Sequence, residues 1–319
     1  MTEKLFKHIG IYFSLFIGSM LFIPGCNKTE STGINAQTST LSYVLANGTQ
    51  TTIFNSAVVK AGLDTTFGSS SIFTLMVPNN TACTQSGFSQ SVINGFTTDQ
   101  AKAWVLYQTY AGTALKLESF IGKTEVKLIM ANGDSVFVTG DSNRTYINGY
   151  QFLNSEIAAI NGNMLALQNV LTPPSQNLGQ MVSNDTSLSF LNEAIILASA
   201  VPDSISTMLT TGGPFSFLAP VNDAFRLLGY QSPNDLTSAN PDSLRTLILL
   251  GLIPQRLFSY DIRDSTKLKT VNDSTLLLTL TGIQNKVQVL GDSATSNFIQ
   301  ANQMAINGVL FKIDRVLGF

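Results

Sequence analysis

Apolar and polar positions alternate through residues 215–219, with Phe215, Phe217 and Ala219 on one face of a period-two pattern. The alternation stops at Pro220, which has no N–H to give to a sheet. Val221-Asn222-Asp223-Ala224-Phe225 follows, and Ala224, Leu227 and Leu228 have the i, i+3, i+4 spacing of a helix face. The pattern predicts a strand running straight into a helix that Asn222 caps and Asp223 begins. The same phrase occurs earlier as Phe73-Thr74-Leu75-Met76-Val77-Pro78-Asn79-Asn80-Thr81-Ala82-Cys83, so the chain carries one structural unit twice.

The flanking patterns repeat as well. In the first unit a helical pattern over 52–62 stops at Gly62; in the second, Leu178, Met181 and Val182 are followed by a helical pattern over 188–197. After the shared phrase, Thr98 is read as capping a helix that carries Ala101, Trp104 and Val105, with Trp104 in the core. Asn240-Pro241 opens the equivalent helix, with Leu244, Leu247, Ile248 and Leu250. Strand patterns cover 124–130, 135–139 and 144–153, then 274–281, 286–290 and 297–300, and Asn132-Gly133 and Asn148-Gly149 read as hairpin turns. Each unit closes on Ile-Asn-Gly, at Ile160-Asn161-Gly162 and Ile306-Asn307-Gly308. Pro220 follows Pro78 by 142 residues and Asn307 follows Asn161 by 146, so the repeat is a whole domain, since solenoid periods are roughly 20–50 residues.

The amino-terminal segment has a different character. Lys4 and Lys7 precede an almost uncharged apolar run over 9–23, which ends at Ile23-Pro24-Gly25-Cys26. This resembles a bacterial lipoprotein signal, and the resemblance implies cleavage before Cys26 and lipidation of that cysteine. The expected organisation is a signal peptide over 1–25, a polar tether over 26–39, a first domain over 40–172, a linker over 173–177 holding Pro173-Pro174, and a second domain over 178–319. Cleavage removes His8, the only histidine, so imidazole-based catalysis and metal sites drop out, and no metal or cofactor is expected. At 319 residues and 44% apolar content, each domain can bury its own core. Charged residues are only 12% of the chain and the net charge is −2, which excludes the basic field that nucleic-acid binding requires. Cys83 stands where the second unit has Phe225 and reads as a buried apolar residue. Gly212-Gly213-Pro214 lacks the Lys-Ser/Thr of a phosphate loop, and Asp261, Asp264 and Asp273 are not spaced as a calcium loop.

Taken in order, strand-Pro-x-Asn-Asp-Ala-Phe, a Leu-rich central helix and a closing Asn-Gly-Val-Leu-x-x-Ile-Asp-x-Val-Leu resemble the fasciclin domain, an adhesion module. In the second unit Pro220, Asn222, Asp223, Ala224 and Phe225 fill the first motif, and Asn307, Gly308 and Asp314 mark the closing one. The first unit is degenerate: Pro78, Asn80, Ala82, Asn161 and Gly162 match, whereas Thr81 and Cys83 replace the acid and the Phe, and Asn163 and Gln168 replace the Val and the Asp. The resemblance implies an α+β fold of two tandem domains, each a wedge-like β-sandwich with helices packed against it. Many family members carry a Tyr-His pair after the central helix, and here Tyr107-Gln108 and Leu250-Gly251 stand in its place, so receptor recognition through that pair does not carry over. The motif residues are read as folding the domain, with Gly308 expected at positive φ in an Asn-Gly turn.

The implied function is a non-enzymatic, lipid-anchored adhesion or scaffold protein of the bacterial envelope, with a protein or polysaccharide partner. Two rivals remain. One is a polysaccharide or small-ligand binder using Tyr146, Tyr150 and Tyr230 as stacking surfaces; the other is a glycosidase using a carboxylate pair such as Asp223 with Asp261 or Asp134 with Asp141. Finally, Asp followed by Ser or Thr and a small set of third residues resembles an O-glycosylation motif of exported proteins in one group of Gram-negative bacteria. It occurs seven times, at Thr65, Ser135, Ser204, Ser243, Ser265, Ser274 and Ser293. About one or two such triplets are expected of this composition at random.

Overall fold

The computed structural model describes residues 38–199, 205–262, 265–281 and 284–318. The signal segment, Cys26 and the tether up to residue 37 lie outside them, as do Asp203, Ser204 and Asp264 of the glycosylation triplets. The first repeat comprises α1 (Leu41–Asn47), α2 (Thr52–Lys60), α3 (Asp64–Phe67), β1 (Phe73–Pro78), α4 (Asn80–Gln85), α5 (Gln90–Gly95), α6 (Thr98–Tyr107), β2 (Thr109–Ala111), β3 (Val126–Ile129), β4 (Ser135–Gly140), β5 (Thr145–Ile147), β6 (Tyr150–Ala159) and β7 (Gly162–Leu167). The second comprises α7 (Leu178–Asn184), α8 (Ser189–Ala198), α9 (Ile205–Thr211), β8 (Phe215–Pro220), α10 (Asn222–Arg226), α11 (Pro241–Leu250), β9 (Leu252–Ile253), β10 (Thr266–Lys269), β11 (Thr275–Thr281), β12 (Gln284–Val289), β13 (Ser296–Ala305) and β14 (Gly308–Ile313).

The two repeats share one topology. The strand order is β2-β1-β7-β6-β5-β4-β3 in the first and, read from the same end, β9-β8-β14-β13-β12-β11-β10 in the second. β1 with β7 and β8 with β14 are parallel, and the other named pairs are antiparallel. Met76 and Leu165, from one end of the first sheet, share a buried cluster with Leu128, Val136 and Val138 from the other end. The sheet therefore folds back on itself, and the register shift in β6 between Phe152 and Glu156 lies where the two halves join. A second cluster packs α1, α2, α3 and α6 on the opposite face of β1 and β7. This makes an α+β domain with the sandwich closed by a bent sheet.

Local sequence explains most elements. Phe217 and Ala219 enter the helix-side cluster while Leu218 enters the other, so both faces of β8 are buried. Gly62 at φ +67 ends α2 with paired bonds, Leu63 N–H to Val58 O and Gly62 N–H to Val59 O, which only a residue tolerant of the left-handed region completes readily. Asn240 caps α11 through bonds from the N–H groups of Asp242 and Ser243. Three expectations are corrected. Thr97, not Thr98, caps α6, in a reciprocal box with Gln100. The pattern at 144–153 divides into β5 and β6 because Asn148 (φ 48) and Gly149 (φ 80) turn the chain within it. Leu227 and Leu228 do not form a buried helix face: α10 stops at Arg226 and they are 66% and 37% exposed.

Candidate functional site

The motif asparagines are the clearest point at which sequence becomes architecture. Asn222 is the first residue of α10 and does not cap it; the cap position is Val221, which makes no side-chain bond. Asn222 instead reaches another helix, its Oδ1 accepting from Phe190 N–H (3.2 Å) and Ser189 Oγ (3.3 Å) at the start of α8, while Nδ2 donates to Thr186 O (2.9 Å). Asn80 does the same in the first repeat, accepting from Ile53 N–H (3.1 Å) in the first turn of α2 and donating to Thr49 O (3.1 Å). Helix amino termini hold four N–H groups without intrahelical partners, so one amide fixes a helix onto the strand-helix corner.

Asn161 and Asn307 form a second matched pair. Asn307 Oδ1 accepts from Leu178 N–H (2.9 Å), and its Nδ2 donates to Leu209 O and Gly212 O (both 2.9 Å). Asn161 accepts from Leu41 N–H and donates to Phe67 O and Ser69 O, each at 2.8 Å. The glycines beside them admit these bonds by leaving space. A Cβ on Gly308 would lie 2.2 Å from Phe215 O and 2.7 Å from Leu178 Cδ1, and one on Gly162 would lie 1.8 Å from Phe73 O. Gly162 has φ +147, but Gly308 is not among the positive-φ glycines, so close backbone approach, not a left-handed turn, explains that residue. Pro78 and Pro220 end β1 and β8; Ala82, Ala224, Cys83 and Phe225 are buried, and Phe225 stacks on Phe190. Burial pushes the Cys83 thiol up to about 12. Asp223 is exposed and pairs with Arg226. Asp314 accepts from Ser296 Oγ and from the backbone and side chain of Asn297; burial raises its pKa, but these bonds outweigh that and hold it below the usual carboxylate range.

The two repeats meet through a cluster that sequence reading missed. Phe137 on β4 lies 6.2 Å from Phe258, and the Arg256 guanidinium sits 4.6 Å above the Phe137 ring while donating to Gly308 O (2.9 Å). Tyr146 stacks on Tyr260, whose hydroxyl donates to Asp141. Thr139 Oγ1 donates to Asp261 (3.0 Å), which also accepts from Phe258 N–H (2.8 Å). Asn302, at φ +62, accepts from Ser259 N–H (2.7 Å) and donates to Gly149 O (3.3 Å). The bond from Tyr260 and the N–H groups of Asn143 and Arg144 hold the Asp141 carboxyl low, while burial and then Asp141 push the Tyr260 phenol up. Burial and the nearby Asp261 raise Glu125. The sequence signal was weak because Phe258 and Tyr260 fall in an irregular loop, where neither period applies.

Most of the residues proposed for the rival functions are engaged in structural contacts. Tyr146 is 7% exposed and covered by Tyr260, and Tyr230 packs partly against the second helical core. Tyr150 lines a cleft of about 230 Å³ between the repeats, with Asn148, Asn302 and the linker. Asp134 bonds to Asn132, Asp141 to Tyr260 and Asp261 to Thr139, so each of these carboxylates has a structural partner. Tyr107, in the first Tyr-Gln position, is fully buried, and Gln108 clamps both backbone groups of Leu171. Of the glycosylation candidates, Thr65, Ser243, Ser265 and Ser293 are exposed, whereas Ser135 and Ser274 are half-buried.

The chain matches the fasciclin domain family over residues 49–173 and 192–319. It is similar to transforming growth factor-beta-induced protein ig-h3 of Sus scrofa and of Oryctolagus cuniculus, at 23% identity over 171 residues in each case. Those residues cover 54% of this chain and 23% of each relative, so the chain spans less than a quarter of their length. A solved FAS1 domain pair from the insect cell adhesion molecule fasciclin I aligns with 82% of this chain and 95% of that one, at 13% identity and a TM-score of 0.40. The two family matches fall one on each seven-stranded sheet and together span most of the chain, and the protein therefore belongs to the fasciclin family as a tandem pair of domains.

Proposed function

We propose that this fasciclin pair is a lipid-anchored adhesion or scaffold protein of the bacterial cell envelope. It is held at Cys26 and extends two coupled domains towards a protein or polysaccharide partner. The observation that carries this reading is the junction, in which Phe137, Tyr146, Thr139 and Asp141 of one repeat engage Phe258, Tyr260 and Asp261 of the other. A pair held in one orientation presents a continuous surface at low entropic cost on binding, which suits attachment better than turnover. Support for the anchor comes from the Gly25-Cys26 signal: the lipoprotein resemblance implies a diacylglyceryl thioether and an acylated amine at Cys26, and three acyl chains exceed the roughly two signals needed for stable membrane attachment. Shaving intact cells with protease should remove the mature chain, and full protection would exclude cell-surface adhesion. Cys26→Ser should give a soluble or unprocessed chain; a processed, membrane-bound variant would remove the anchor.

Exposed Thr65, Ser243, Ser265 and Ser293 are the favoured glycan acceptors, because a bulky polar group needs an open position. Intact mass from the native host decides this: a mass equal to the lipidated polypeptide alone would end the proposal. The small-ligand alternative rests on the cleft lined by Asn148, Tyr150 and Asn302.

A further inference from the structure

The duplicated fold supplies an internal control for one surface. β3 and β10 are equivalent outer strands: among the described residues each is paired along its own length on one side only, and the sheet closes just beyond them, where Ala131 N–H bonds Thr109 O and Val271 N–H bonds Leu252 O. In the first repeat Met130 N–H bonds Asp134 O, and the register pairs Leu128 with Val136 and Val126 with Val138. Antiparallel pairing alternates between bonded and non-bonded pairs, so the intervening Lys127 and Ile129 turn their backbone N–H and C=O groups outward. By the same logic, from Thr270 N–H to Ser274 O, β10 turns Lys267 and Lys269 outward.

The two edges differ in one respect. β10 carries a lysine at both outward positions, the usual guard against pairing with another strand. β3 keeps Lys127 but has Ile129, 50% exposed, where the second repeat has Lys269; Ile121, 52% exposed, lies beside the same edge through its bridge to Gly140. Next to the edge is a groove of about 580 Å³ between Lys127, Glu125 and Phe137 of the first repeat and Gly213-Pro214 and Arg256 of the second. Its cations are Lys127 and Arg256. Against them stands, among the described residues, one lining carboxylate, Glu125, whose pKa is raised by burial and by Asp261. A local excess of positive charge in a chain of net charge −2 favours an acidic occupant over a second copy, whose β3 would bring the same lysine.

We propose that β3 is a docking edge for an extended segment of a partner protein, which adds antiparallel to Lys127 and Ile129 with an acidic side chain near Lys127 and an apolar one against Ile129. This names a partner chemistry for the adhesion reading and rests on it for its role in the cell. The test reads the edge alone, so protease protection on cells would remove that role without touching the binding result. The probe is an acetylated peptide about nine residues long, threonine at odd positions and glutamate and valine alternating at even ones. Added to the mature chain at about 1 mM, it should slow amide exchange at Lys127 and Ile129 by about tenfold and leave Lys267 and Lys269 unchanged. Ile129→Lys should weaken binding by about tenfold, as should lysine in place of the peptide glutamates. The proposal is overturned by any of four outcomes: no slowing, equal protection on β10, equal binding of the lysine peptide, or dimerisation of the chain through β3.

Discussion

Replacing Asn222 with alanine strips the acceptor from Phe190 N–H and the donor from Thr186 O, leaving the start of α8 unheld. Buried or half-buried groups that lose a partner cost about 1–3 kcal/mol, and that loss should appear in urea unfolding of Asn222→Ala. Asp223→Ala, one residue on, should change stability by less than about 0.5 kcal/mol, since its ion pair with Arg226 is exposed. A reversed order would assign the role to the acid instead. Gly308→Ala tests the correction made at the closing motif. With an ordinary φ the change would be mild, but a Cβ 2.2 Å from Phe215 O forces β8 and β14 apart and should cost about 1–3 kcal/mol. An unchanged unfolding midpoint would show that the strands yield freely.

At the scale of elements, the ion pair between Lys312 on β14 and Asp185, just ahead of α8, ties an inner strand to the helical layer, with Ser187 bonded to both. Burial raises the Asp185 carboxyl, but its bonds to Lys312 and Ser187 outweigh that and depress it. A depressed carboxylate contributes stability above its unfolded pKa and loses that contribution as pH falls through the folded value. The gap in melting temperature between the protein and Asp185→Asn should therefore be widest near neutrality and close below the ordinary carboxylate range; a gap constant down to strong acid would refute the link. This pair was not legible in the sequence, because its members are 127 residues apart and belong to no motif. What could be read were the signals that act locally: Gly62 after α2, Asn240-Pro241 before α11, and the Asn148-Gly149 turn. The four-residue β10 escaped because Leu268 is the one apolar residue of Thr-Lys-Leu-Lys and supplies no period, whereas β3, with the same burial pattern, carries Val126, Leu128 and Ile129. Asn222 was misassigned because an asparagine ahead of a helix usually serves that helix, whereas here its partners lie 32–36 residues away.

For the whole molecule, the consequence of the junction is that two domains with separate cores should move as one. Phe137 is the sharpest probe. It belongs to β4 of the first repeat but packs against the buried cluster of the second, with Phe258 and Arg256 on its ring, so its removal weakens the junction without opening the first core. Tyr260 is its counterpart, stacked on Tyr146 and bonded to Asp141. Cysteines introduced at exposed Gln85 and Leu227 would carry spin labels, and Cys83 would stay unlabelled because burial pushes its thiol up to about 12. In the otherwise unchanged chain the label-to-label distance should be narrowly distributed. In Phe137→Ala/Tyr260→Ala it should broaden, since an interdomain contact stripped of its aromatic anchors reverts to the relative motion expected of linked domains. The linker does not itself prevent this: Pro173-Pro174 stiffens two residues, but the remaining 171–176 stretch has no regular structure. A distribution equally narrow in the double variant would mean that the linker and the Asn302–Gly149 contact suffice, and that the aromatic stack is incidental to how the pair presents itself.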